Sequence, residues 1–276
     1  MRLLKTLSLL LITVLVFNSC KREKSATYCI TDQKVSSPFV LLFSVQNDKD
    51  LGIQVKNEIA ANPTQFPVLN PTQYASSYTY LNKMKNKILN SGQVALKDKF
   101  DWELFIIKDD ATLNAFCTPG GYIYVYTGLI KYLDSEDQLA GVLGHEIAHA
   151  DRRHSSKSLQ TQYGVDILLN VILGKDSTTL KQIAGGLYSL KNSREHESEA
   201  DEYSVRYLCP TDYQADGAAD FFEKLIKDGN DCTSAFFSTH PCPDNRVQAI
   251  HDHKSPCCTG NQTYTAEYAA FKASLP

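Results

Sequence analysis

Two histidines four residues apart, His145 and His149, lie in a stretch from Ser135 to Ala150 in which Leu139, Val142 and Leu143 recur at helical spacing. Positions four apart share one face of a helix. Both imidazoles therefore project together, at a separation that a single zinc ion can bridge, with Glu146 toward the same open side. Ser135 is expected to cap this helix, with Gln138 at the third helical position.

Zinc needs a third protein ligand, and its identity separates the possible site types. A metzincin would place Gly and His three and six residues beyond His149, where Arg152 and Ser155 stand, so that arrangement is excluded. The remaining solution is a carboxylate on a second helix, predicted over Ser193 to Leu208. There Glu197 and Asp201 share a face, so Glu197 can bind the metal while Asp201 accepts a hydrogen bond from a ligating histidine. Small Ala200 lets this helix pack closely. Glu195 and Glu199 are expected on a solvated face, and His196 as an exposed polar residue.

The remaining chain separates into an N-terminal leader and a globular body. Arg2 and Lys5 precede an apolar run, Leu7 to Phe17, of about eleven residues, too short for the ~20 that span a bilayer, so residues 1–19 read as a secretory signal peptide. Cys20 then resembles a bacterial lipoprotein cysteine, and 20–47 is expected to be a lipidated tether. A net charge of −3, from 28 basic and 31 acidic residues, provides no field to gather nucleic acid. Beyond Cys20 stand seven cysteines, an odd number, so at least one stays free. A bridge from Cys232 or Cys242 to the Cys257–Cys258 pair is expected, and the absence of any CxxC argues against a second zinc site.

In the body, 48–276, two helices are expected on either side of Pro63, Pro67 and Pro71, followed by strands at Trp102–Ile107, Leu113–Cys117 and Tyr122–Tyr126 in a small antiparallel or mixed sheet. The segment Gln162–Leu190 reads as core helix, with a mobile flap hinged at Gly185 and Gly186 as the alternative.

Together HEIAH and SREHESEAD resemble the HtpX and CAAX-prenyl-protease family of gluzincin metallopeptidases. Asn114-Ala-Phe-Cys-Thr-Pro-Gly120-Gly121 and Ser238-Thr-His240-Pro-Cys-Pro-Asp-Asn-Arg246 match two further family segments. The resemblance runs from about Leu51 to His251. It implies that His145, His149 and Glu197 bind one zinc, that Glu146 is the catalytic carboxylate, and that Asp201 supports the ligands. It also implies that His240 reaches the site as a transition-state donor or as an extra ligand in a resting form. Cys117 departs from the pattern, standing where a hydrophobic residue is usual, and the family's transmembrane helices and C-terminal repeats have no counterpart.

The expected fold is α+β and mostly α, a zincin-like catalytic domain with a small β-sheet next to the His145–His149 helix. The expected function is zinc-dependent endopeptidase activity on misfolded or envelope proteins, with Glu146 taking the proton of the attacking water, His240 donating to the oxyanion and Arg246 structural. Extended or unfolded substrate would pair with the stretch holding Asn114, Ala115, Phe116, Gly120 and Gly121. The chain would sit in the bacterial envelope, anchored through Cys20 on the periplasmic face of the outer rather than the inner membrane, near the outer-membrane assembly machinery. A zinc-binding, chaperone-like assembly factor with little proteolysis is the main alternative. A hydrolase of small amides is a weaker one.

Overall fold

The computed structural model describes residues 40–229, 235–240 and 245–276. The expected signal peptide, Cys20, Cys29, Cys232 and Cys242 lie outside the described residues. Helix α1 (Val45–Ala60) starts at Ser44, whose hydroxyl accepts from the Asn47 amide, and the preceding Phe43 is already buried. After the proline-rich loop comes α2 (Ala75–Leu89), as the periodicity predicts.

Strands β1 (Glu103–Ile107), β2 (Ala115–Thr118) and β3 (Tyr122–Tyr126) form a mixed sheet in the order β1-β3-β2. β1 runs parallel to β3 and β2 antiparallel to it, which leaves β2 at an edge. Side chains alternate across a strand, so β3 serves two cores at once. Tyr122, Tyr124 and Tyr126 join α1 residues Leu51, Val55 and Ile59 on one face, and Ile123 and Val125 join Leu104 and Ile106 on the other. Tyr124 pairs in register with both Phe105 and Phe116, and its ring stacks on theirs at 5.0 and 4.8 Å. The Pro119-Gly120-Gly121 turn needs its glycines, with φ of +82° and +87°, and a Cβ on Gly121 would meet the Trp102 ring at 3.0 Å.

After α3 (Thr127–Tyr132), helix α4 (Glu136–Asp151) runs through the interior with every residue buried. The expected capping box forms only in part. Ser135 makes no side-chain capping bond, while Gln138 reaches back to accept from the Asp134 amide at 2.9 Å. The chain continues through α5 (His154–Tyr163), α6 (Val165–Ile172), α7 (Ser177–Gly186), a 3-10 turn (Leu187–Ser189) and α8 (Arg194–Leu208). Next come α9 (Gly217–Lys227), α10 (Ala235–Thr239), α11 (Arg246–His253) and α12 (Thr265–Ala273). Leu168, Val171 and Ile183 pack in the α1 core, as expected of core helices, while Ile167, Leu169 and Leu173 face outward.

Helices α8 and α9 close on α4 at small residues. The Ser204 hydroxyl donates to the Gly141 carbonyl at 2.7 Å, and Ala200 is fully buried between the helices. Cys258 is bridged to Cys209, because α8 ends at Leu208 next to the C-terminal segment; Cys257 is also disulfide-bonded, and Cys232 and Cys242, expected to bridge to the Cys257–Cys258 pair, lie outside the described residues. Cys117 is a free, buried thiol. Among the described residues no helix is long and apolar enough to cross a membrane.

Candidate metal centre

His145 and His149 leave α4 one turn apart, and their Nε2 atoms stand 2.9 Å from each other. From α8, Glu197 faces both, with Oε2 3.3 Å from His145 Nε2 and Oε1 3.2 Å from His149 Nε2. Ser193 accepts from the His196 amide and so sets the start of α8 one turn before Glu197. His240, just after α10, adds its Nδ1 at 3.1 Å from both Glu197 oxygens and 3.3 Å from His145 Nε2. One donor atom from each of these four buried residues lies within 4.8 Å of the others.

These donors suit a zinc ion. The His145 Nδ1 lies 2.9 Å from Asp201 Oδ1, so its proton is directed there and its Nε2 presents a lone pair toward His149 and Glu197. Lone pairs and a carboxylate gathered this closely without solvent repel one another unless a cation lies between them. Two imidazoles and a carboxylate, with one further position available, form the ligand set of catalytic zinc. The Asp201 carboxylate is itself held by Arg246, whose Nε and Nη2 each donate at 2.7 Å.

Burial alone would push the His145 ring down, but its bonds to Asp201 and Glu197 raise it to about 9, so a metal at Nε2 would have to displace a proton there. Burial pushes His149 far below the usual histidine range. Burial would raise Glu197, yet the surrounding imidazoles hold it well below the carboxylate range. Glu146 is raised, chiefly by burial, which suits a group that must take up a proton and release it. Its Oε1 has no hydrogen-bond partner among the described residues and points at the His240 Nε2, 3.4 Å away and equally unpartnered.

A small cavity beside this cluster is lined by Phe116, Cys117, Glu146, His149, Leu187, Leu190 and His240, among others. Leu187 and Leu190 place the end of the Gln162–Leu190 segment against the site, and the Asn192 amide bonds the Thr239 carbonyl next to His240 at 3.1 Å. Of the candidate substrate residues, Phe116 lines the cavity and Ala115 begins the edge strand. Asn114 is buried, with its side chain accepting from the Ala115 amide at 2.8 Å. Gly120 and Gly121 are not among the lining residues, and pack instead against Asp48, Phe100 and Trp102.

Two residues escaped the sequence reading. His154 stands behind His149, and Glu199 is not on a solvated face, for it accepts from His154 Nε2 at 2.9 Å and from Arg152 Nε at 2.7 Å. Burial pushes the His154 ring down to about 4. Burial would raise Glu199, but its bond from His154 and the Arg152 charge bring it down to about 2. His196, expected to be exposed, is half-buried, with its ring stacked on His154 at 4.2 Å. The one available signal was the position of His154 five residues after His149, which on a continuous helix would point elsewhere.

Among known proteins, Metalloprotease LoiP of Escherichia coli is 28% identical over 215 residues, 75% of this chain and 80% of the relative. Mitochondrial metalloendopeptidase OMA1 of Schizosaccharomyces pombe is 31% identical over 187 residues, 65% of this chain and 53% of the relative. A putative beta-barrel assembly-enhancing protease of Vibrio cholerae is 27% identical over 199 residues, 66% of this chain and 38% of the relative. The chain thus spans about half or less of the length of these last two relatives. Residues 76–254, which carry the α4 histidines, Glu197, Asp201 and His240, match the family model described as Peptidase family M48. The chain belongs to that family.

Proposed function

We propose that this chain is a zinc-dependent endopeptidase that cleaves extended segments of misfolded envelope proteins. The observation that carries the reading is the convergence of two imidazole Nε2 atoms and the Glu197 carboxylate within 3.3 Å of one another, with the unpartnered Oε1 of Glu146 alongside. His145, His149 and Glu197 would hold zinc, which would supply a Lewis acid beside Glu146.

Glu146 takes the proton of the attacking water and returns it to the leaving amine, and its raised proton affinity suits both halves of that task. Asp201, clamped by Arg246, keeps the His145 ring turned so that Nε2 faces the cluster. An extended substrate would pair along the outer edge of β2, where the buried Cys117 carbonyl accepts from the Ser155 hydroxyl at 3.3 Å, with Phe116 and Cys117 beside the reacting bond. His240 would be a fourth ligand in a resting form, its Nδ1 standing in the same donor cluster.

In this reading Cys20 carries a lipid after removal of residues 1–19 and holds the body at the periplasmic face of the outer membrane. The name of the Vibrio cholerae relative supports a connection with outer-membrane protein assembly. Zinc content and casein cleavage, measured on wild type and Glu146→Gln, test the proposal. Zinc in both with cleavage in wild type alone is the expected result. Equal cleavage by the two proteins would contradict the role of Glu146, and retained function without cleavage would favour an assembly factor.

A further inference from the structure

The two metal-facing histidines are each supported from behind, by different means. His145 donates its Nδ1–H directly to a carboxylate, Asp201, at 2.9 Å. His149 has no carboxylate there. Its Nδ1 faces the Nδ1 of a second imidazole, His154, at 2.8 Å, and the far nitrogen of His154 lies 2.9 Å from Glu199. Arg152 donates to the other Glu199 oxygen at 2.7 Å, much as Arg246 holds Asp201.

Between two ring nitrogens in contact, one must carry the proton and the other the lone pair. The Glu199 carboxylate is an acceptor, so the His154 proton resides on Nε2, and a neutral His154 then presents a lone pair at Nδ1. The shared proton therefore belongs to His149 Nδ1. That leaves the Nε2 of His149 as a lone pair directed at Glu197 and His145, the state a metal ion requires.

The backbone is shaped to build this contact. Helix α4 stops at Asp151 and Arg153 adopts a left-handed conformation, φ +60°, unusual for a residue with a side chain. Arg153 is held there by Asp48 of α1 and by the Phe43 carbonyl just before that helix. The turn brings His154, fully buried, back against His149, and the stacked His196 ring covers its other face.

We propose that His154 and Glu199 are positioning residues that fix His149 in its Nδ1-protonated form and thereby set the affinity of the centre for zinc. This rests on the reading of His149 as a zinc ligand. The role is separate from catalysis, because neither side chain lines the cavity next to Glu146.

Zinc affinity of the full-length chain, measured by competition with a chromophoric chelator, tests the proposal across wild type, His154→Phe, Glu199→Ala and Glu199→Gln. His154→Phe and Glu199→Ala should weaken zinc binding by about 10–100-fold. Glu199→Gln, whose amide oxygen still accepts from His154, should recover part of the loss. Long-range nitrogen–proton NMR of the metal-free wild type provides a readout that needs no substitution. Protons on His149 Nδ1 and His154 Nε2 are expected, and the opposite placement overturns the proposal even if His154→Phe fails to fold. Wild-type zinc affinity in all the variants overturns it while leaving the zinc centre intact, whereas a wild type that binds no zinc overturns the centre itself.

Discussion

The Nε2 of His240 lies 3.4 Å from the Oε1 of Glu146, while its Nδ1 lies 3.1 Å from Glu197. One ring thus spans Glu197 and Glu146, the proposed metal ligand and the proposed catalytic carboxylate. Leu187 and Leu190 lie against the same cavity, and the bond from the Asn192 amide to the Thr239 carbonyl ties the segment after them to the residue before His240. His240 and the two leucines thus flank the site together.

Removing the His240 ring should open the site and keep its metal. Three ligands suffice for catalytic zinc, so His240→Ala is expected to retain one zinc per chain and to cleave casein several-fold faster than wild type. A fall of about 10²–10³-fold with zinc retained would instead identify His240 as an oxyanion donor.

The spacing of the α4 and α9 backbones depends on the absence of a side chain at Gly141, where a Cβ would stand 2.4 Å from the Ala218 nitrogen and 2.8 Å from its Cα. Backbone cannot move aside as a side-chain end can, so Gly141→Ala should cost about 1–3 kcal/mol in urea denaturation. Gly185 provides the contrast. A Cβ there meets only the Gln65 side chain at 3.8 Å, so Gly185→Ala in α7 should leave stability unchanged or raise it by up to about 1 kcal/mol.

A pH dependence of stability follows from Asp220, in the first turn of α9. Burial, with Asp137, Glu223 and Asp216 adding to it and His251 opposing, pushes its carboxyl up to about 6. The unfolded chain releases that proton near pH ~3.9. Between the two values the folded state binds more protons, so the contribution of Asp220 to stability falls as pH rises from about 4 to about 6 and is level beyond. Asp220→Asn should flatten that slope and raise stability at neutral pH by less than about 1 kcal/mol, the group being half-exposed and screened. Urea denaturation from pH 4 to 7.5 checks it, and an unchanged slope in the variant contradicts it.

What was legible in the sequence was local. His145 and His149 share a face because they are four apart on one helix, and Glu197 and Asp201 do so on another, so each pair could be read from spacing alone. The strands of the mixed sheet were visible from their β-rich runs and the Pro119-Gly120-Gly121 turn. The support behind His149 was not visible, because it depends on one residue, Arg153, leaving the helical conformation under the hold of Asp48 and Phe43 more than a hundred positions away. Glu199 read as solvated for the same reason, since its partners Arg152 and His154 are brought to it only by that turn. The Cys209–Cys258 bridge likewise links positions 49 apart, a separation that spacing does not reveal.

Zinc per chain is the measurement that reaches the three-donor centre of His145, His149 and Glu197 most directly. Metal analysis of the purified full-length protein should find one zinc per chain in wild type and close to none after chelator dialysis of Glu197→Ala, under conditions in which wild type keeps its metal. A wild type without zinc, or a Glu197→Ala protein that holds zinc as firmly as wild type, would contradict the assignment of His145, His149 and Glu197 as the metal ligands.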